Sequence, residues 1–236
     1  MSTLIHEAEA VAAELADLRA GERIHWLSQT YGKRVVASSS FGLQAAVMLH
    51  LIAEHAPAIP VVFVDTGYLF PETYRYIEEL STSLNVDLRR YVPQMTAAYQ
   101  ESVYGKLWEN NPREYARINK IEPMNRALRE IGGDIWLSGL RRAQSSTRAD
   151  RAMAEQQGRT MKVYPILDWA DAQVASYFHT HQLPPHPLAR EGYLTMGDWH
   201  STRKPETGEV GEGTRFNGQK YECGLHEESG ELDFQI

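Results

Sequence analysis

The sequence predicts an α/β protein: a doubly wound, mostly parallel sheet with helices on both faces, followed by a flexible carboxyl-terminal tail. Three observations carry this reading. Short apolar runs alternate with segments of helical apolar spacing, the pattern of crossover units. Polar loops follow the strand candidates. Glycine accumulates late, with six of the 17 glycines in the last 29 of 236 residues, too dense for regular structure there.

The elements follow in order. Leu4, Ile5, Ala8, Val11, Ala12, Leu15 and Leu18 keep helical spacing, and the first thirty residues read as two helices with Gly21 as a break. Arg34 to Ala37 is a short buried strand. Ser38 to Gly42 is a polar loop, and Leu43 to His55 a helix with Leu43, Val47, Leu49 and Ile52 apolar. A second strand, Ile59 to Val64, ends in Asp65-Thr66-Gly67. Pro71 suits the first turn of the next helix, which runs through Tyr76, Ile77 and Leu80. Val86 to Val92 is a third strand. A helix over Pro123 to Ile131 precedes a fourth strand, Asp134 to Ser138. Met161 to Tyr164 is a weaker fifth, and Trp169 to His181 a further helix. Regular structure is expected to fade from Pro184. Residues 1–200 are expected to form one nucleotide-binding α/β domain, and residues 201–236 a glycine-rich tail.

Composition narrows the function. Hydrophobic residues make up 42% and charged residues 23%, as in soluble globular proteins. A net charge of −7 argues against nucleic-acid binding over a broad surface. No apolar run is long enough to cross a bilayer, so no membrane is expected. One cysteine and a start that turns polar at once point to the cytoplasm. A lone Cys223 closes no intramolecular disulfide and supplies no two-cysteine metal site. If it does redox chemistry, the second thiol comes from another molecule.

In doubly wound sheets ligands sit beyond the carboxyl ends of the strands. Ser38–Gly42, Asp65–Gly67 and Gly139–Arg148 all follow strand ends and so converge on one cleft. In Ser38-Ser39-Ser40-Phe41-Gly42-Leu43-Gln44, small residues and a helix start suit an anion, because free amides and the helix dipole point at it. The same residues would also serve as a plain serine-rich helix cap. Neither a Walker loop nor a dinucleotide fingerprint is present. Arg141, Arg142 and Arg148 could clamp a polyanion with forked hydrogen bonds, or form a solvated basic turn. Lys120, before Pro123, reads alone as a surface lysine. Arg203 and Arg215 add cations near the end. In Glu222-Cys223-Gly224-Leu225-His226 a thiolate would be a nucleophile, with His226 assisting and Gly224 allowing a tight turn; an inert buried thiol is the alternative. Leu69 and Phe70 would flank a base or join the core. His179, His181 and His186 are too loosely spaced for a metal, and no metal site is expected.

Five of these motifs, from Ser38 to His226, resemble in order those of the sulfonucleotide reductases, within the adenine-nucleotide alpha-hydrolase (PP-loop) superfamily. Ser39 and Ser40 stand where the superfamily's Ser-Gly-Gly-x-Asp-Ser loop has glycines, and no aspartate follows. Gly-Leu-Arg-Arg-Ala-Gln-Ser matches the reductase Gly-Leu-Arg-Arg-Glu-Gln-Ser except at Ala143. Members that bind a [4Fe–4S] cluster carry cysteines where this chain has Tyr115, Ala116, Asp198 and Ser201, so it resembles the cluster-free branch, which acts on 3′-phosphoadenosine 5′-phosphosulfate (PAPS).

That resemblance implies an oxidoreductase with no bound cofactor, taking electrons from reduced thioredoxin or glutaredoxin and releasing sulfite in sulfate assimilation. It implies a homodimer. It assigns Ser38, Ser39, Ser40, Phe41, Gly42, Gln44, Thr66, Gly67, Lys120, Arg141, Arg142, Ser145, Arg148, Arg203 and Arg215 to the nucleotide, the last two arginines at its sulfate and phosphate end. It assigns Cys223, with His226, to catalysis. Three other readings remain open: a cluster-free reductase of adenosine 5′-phosphosulfate, an ATP pyrophosphatase, and a nucleotide-binding redox sensor.

Overall fold

The structure is a computed structural model and describes residues 2–209 and 211–214. A six-stranded sheet organises the chain: β1 (Val35–Ser38), β2 (Val61–Val64), β3 (Leu88–Tyr91), β4 (Ile135–Ser138), β5 (Ala154–Gln157) and β6 (Thr160–Val163). Its order is β3-β2-β1-β4-β6-β5, and every pairing is parallel except β5 with β6.

Strand alternation sorts the side chains into two layers. Val35, Ala37, Val61, Phe63, Ile135 and Leu137 face the larger core, packed with α1 (Ser2–Ala16), α2 (Ala20–Tyr31), α3 (Ala45–His55) and α4 (Pro71–Ser83). Val36, Val62 and Trp136 face the other way. There they meet Met124, Ala127 and Leu128 of a later helix, Glu122–Ile131. Between α4 and that helix lie α5 (Ala97–Tyr104), α6 (Leu107–Asn110), α7 (Pro112–Ala116) and a π-helical turn, Arg117–Ile121; the later helix is therefore α8. The helix after β6, α9 (Asp171–Thr180), contributes Val174 to the larger core.

Arg23 of α2 is buried, donating to the carbonyls of Leu15 and Pro165 and forking onto Asp168 at 2.7 and 2.8 Å. It binds the amino-terminal helices to the segment after β6. From residue 184 to 209 and from 211 to 214 the described chain has only short 3-10 turns, as expected of irregular structure, but it is packed rather than loose. His186, Leu188, Asp198, Ser201, Thr202 and Thr214 are buried, and Asp198 makes a strand-like bridge to Leu69. The expected boundary at residue 201 therefore crosses a packed segment. Charge patterning concealed this, because a few buried polar groups anchor it instead of an apolar stripe.

A candidate active site at the sheet switch point

From β1 the chain steps to β2 and β3 on one flank, and from β4 to β6 on the other. The carboxyl ends of β1 and β4 thus border a switch point, where open sheets bind ligands. Ser38 and Ser138 are register partners there. A cleft of about 720 Å³ opens above them, a volume within the usual range for small-molecule sites.

The first wall is the loop between β1 and α3. Trp136 Nε1 donates to Ser38 Oγ at 2.7 Å, fixing the serine at the strand end. Ser39 Oγ accepts from the Phe41 amide at 3.1 Å. Phe41 has φ of 49°, unusual for a residue with a side chain. Its ring is wholly buried against Phe63, centroids 5.5 Å apart. Phe41 is therefore an anchor that forces the loop to turn. α3 begins at Ala45, two residues later than the spacing predicts, so Leu43 and Gln44 belong to the loop. Ser38, Ser39, Ser40, Gly42 and Gln44 line the cleft.

The second wall follows β4. Arg141 is 1% exposed, donating to the Gln44 amide oxygen at 2.5 Å, the Trp169 carbonyl at 2.9 Å and exposed Asp171 at 2.8 Å. Arg148 also lines the cleft and donates to Gln144 Oε1 at 2.5 Å. Arg142, adjacent to Arg141 in sequence, points elsewhere and donates to the Arg151 carbonyl at 2.8 and 3.1 Å. The expected pair of neighbouring arginines is thus split between the cleft and the surface. Ser145 is buried and shares a hydrogen bond of 2.8 Å with the Thr147 hydroxyl.

The third wall joins the loop after β2 to the π-helical turn. Asp65 is buried; it accepts from Tyr74 Oη at 2.7 Å and the Gly67 amide at 2.9 Å, and pairs with Arg90. Gly67, with φ of 77°, makes this turn and is not among the residues lining the cleft. Thr66 lines it and donates to Asp198 Oδ1 at 2.6 Å. Lys120 Nζ lies 2.6 Å from Asp198 Oδ2. Asp198 is 1% exposed. Burial disfavours its charge, yet the Lys120 ammonium and the Thr66 hydroxyl overcome this and hold its carboxyl at about 2. Beside this pair lie the rings of Tyr68, Trp108, Tyr115, Trp199 and His200, with His200 stacked on Trp108 at 4.6 Å.

Of the remaining expected residues, Arg203 is engaged by Glu209 at 2.6 Å and by the Gly213 carbonyl at 3.1 Å, and is not among the residues lining the cleft. Leu69 lines the cleft, while Phe70 packs on Tyr193 at 5.6 Å. Arg215, Cys223 and His226 lie outside the described residues. Among the described residues, no group of three or more His, Cys, Asp or Glu could hold a metal, and no helix is long and apolar enough to cross a membrane. The spacing of motifs gave Asp198 and Asp171 no role as partners of the cleft cations. The one available signal for Asp198 was its coincidence with a cysteine position of cluster-binding relatives.

A family model described as phosphoadenosine phosphosulfate reductase domain matches residues 34–204, which contain all three walls. The chain belongs to the phosphoadenosine phosphosulfate reductase family. It is 47% identical over 226 residues to the phosphoadenosine 5′-phosphosulfate reductase of Photobacterium profundum, covering 94% of this chain and 89% of that one. Identity to the Cronobacter sakazakii reductase is 50% over 218 residues, covering 91% and 89%. The crystal structure of Candida auris phosphoadenylyl-sulfate (PAPS) reductase in a phosphate complex superposes with a TM-score of 0.74 at 28% identity, covering 83% of this chain and 96% of that one. Candida glabrata FMN adenylyltransferase, at 15% identity and a TM-score of 0.58 over 94% of this chain and 87% of that one, shares the fold. Reductase family members therefore share this sheet, and its switch point is where their motif residues gather in this chain.

Proposed function

We propose that this protein reduces 3′-phosphoadenosine 5′-phosphosulfate to sulfite and adenosine 3′,5′-bisphosphate. The observation that carries the reading is the cationic cleft at the switch point, built from the family's motif residues. Lys120, Arg141 and Arg148 line it beside the serine loop and the start of α3. The substrate carries about four negative charges near neutral pH, from its phosphate ionisation. A thiolate approaching it requires that charge to be offset by fixed donors.

In this reading Cys223 is the nucleophile. Its thiolate attacks the sulfur of the sulfo group, the bond from that sulfur to the phosphate oxygen breaks, and the bisphosphate leaves. S-sulfocysteine remains. A thiolate of reduced thioredoxin or glutaredoxin then attacks Cys223 Sγ and displaces sulfite, and the donor's second thiol resolves the mixed disulfide. Two electrons pass from the dithiol to the sulfur, the donor ends as a disulfide, and Cys223 returns as thiolate. His226 assists the Cys223 thiolate, and Arg203, held by Glu209 at 2.6 Å, and Arg215 are assigned to the sulfate and phosphate end of the nucleotide. The protein would work as a cytoplasmic homodimer in sulfate assimilation, with no bound metal or cluster.

Intact mass after mixing with substrate and no reductant tests the scheme. The parent chain should gain one sulfo group, Cys223→Ser none, and reduced thioredoxin should release the adduct as sulfite. No adduct on the parent, or the same adduct on the serine variant, rejects it. Comparing sulfite release from the substrate with and without its 3′-phosphate fixes which nucleotide is used.

A further inference from the structure

Lys120 reaches the cleft from the π-helical turn, and its side chain is only 9% exposed. An ammonium so enclosed needs a counter-charge, or it swings out to water. Among the described residues, the groups around it are few. The Tyr115 ring lies 5.6 Å from Nζ. Tyr68 and His200 flank Asp198 from the neighbouring segments. Burial pushes the Tyr115 and Tyr68 phenols well above their ordinary values, so both stay neutral. The counter-charge is the carboxylate of Asp198.

Asp198 is itself held from two sides. Thr66 donates to one oxygen, and the Trp199 amide donates to the Tyr68 carbonyl at 2.8 Å, locking the backbone beside it. The Leu69–Asp198 bridge adds a further tie. A carboxylate fixed in this way removes the freedom of the long lysine stem.

We propose that Asp198 is a positioning residue for the reductase reaction: its carboxylate, fixed by Thr66, holds the Lys120 ammonium aimed into the cleft where the nucleotide anion binds. The inference rests on the reductase reading above. Asp198 touches no substrate atom in this account and acts through Lys120. Its effect therefore depends on the lysine being present, which separates it from a residue that merely holds the fold.

The test is a double-mutant cycle on kcat for sulfite release with saturating substrate and reduced thioredoxin. The parent, Asp198→Asn, Lys120→Gln and the double variant are compared. A parent that releases no sulfite sinks the reductase reading, whatever the variants do. Given parent turnover, Asp198→Asn and Lys120→Gln should each lower kcat roughly tenfold or more. The double variant should be no slower than Lys120→Gln alone. Asp198→Glu, which keeps the carboxylate, should recover part of the rate that Asp198→Asn loses, and should recover none in the Lys120→Gln background.

Multiplicative losses in the double variant overturn the proposal, as does an Asp198→Asn variant with the parent's rate. Should Asp198→Asn alone not fold, Thr66→Val carries the same test. It leaves both charges and removes the hydroxyl that fixes the carboxylate. Its smaller loss in kcat should vanish in the Lys120→Gln background, and persistence there is again fatal.

Discussion

Gln44 and Arg141 are joined across the cleft floor, the amide oxygen accepting from the guanidinium at 2.5 Å. One residue closes the loop after β1, and the other opens the loop after β4. The contact fixes the spacing of two walls that the sequence separates by 97 positions.

Arg141→Leu should destabilise the fold by about 2 kcal/mol, because it removes a buried guanidinium that donates to the Gln44 oxygen and the Trp169 carbonyl. Gln44→Leu should cost only about 1 kcal/mol, since Arg141 keeps Trp169 and Asp171. Denaturant midpoints for the two variants check the order. Equal losses would show that the guanidinium is anchored chiefly through Gln44.

Ser39→Ala removes the acceptor for the Phe41 amide in a loop whose backbone is already unusual. Affinity for adenosine 3′,5′-bisphosphate should fall roughly fivefold, the equivalent of about 1 kcal/mol. Calorimetry on the two proteins measures it. An unchanged affinity would mean that the loop holds its shape through the buried Phe41 ring alone.

Gly133 lies between α8 and β4, where an added Cβ would sit 2.2 Å from Val36 Cγ2. Gly133→Ala should lower stability by about 1–3 kcal/mol through overpacking. In a Val36→Ala background that penalty should shrink. If it is the same in both backgrounds, the clash lies elsewhere.

His186 is buried; its Nδ1 accepts from the Leu188 amide at 3.2 Å, and its Nε2 pairs with the Thr73 hydroxyl at 3.1 Å. Burial pushes its pKa down to about 4, against an ordinary value of about 6.5. Between those values the unfolded chain binds a proton that the folded chain does not. Stability should thus be complete above about pH 6.5 and decline toward pH 4. Asp198, Glu22 and Glu209 are held at about 2 and stay charged across this window. Thermal melts at intervals from about pH 7.5 to 4.5 should show the decline, and His186→Gln should flatten it. His50, also lowered by burial, adds to the slope, and near the lower end Glu22 and Glu209 add more, because the unfolded chain takes up protons there that the folded chain does not.

The sequence made the centre of this fold legible and its margins obscure. β1, β2 and β4 are buried on both faces, so each reads as a compact apolar run. β5 has the sequence Ala-Glu-Gln-Gln and forms an edge, where half-exposed polar side chains erase the strand signal. α5 buries only Gln100 and leaves Tyr99, Val103 and Tyr104 exposed, so no apolar stripe marks it. The site divides in the same way. Loops placed at strand ends were visible from order alone. Which of Arg141 and Arg142 turns inward was not, because adjacent residues look alike until the Trp169 carbonyl and Gln44 are placed around one of them. Asp198 was hidden for a related reason: its partner Thr66 is 132 positions away.

The alignment of Ser38 with Ser138 makes strand registration as sensitive a variable as any side chain around the nucleotide. Sliding β1 by a single residue would turn Ser38 into the opposite layer and carry the serine loop with it. The turn at Gly158, between β5 and β6, lies at the far rim of the sheet, where insertions would leave that alignment undisturbed.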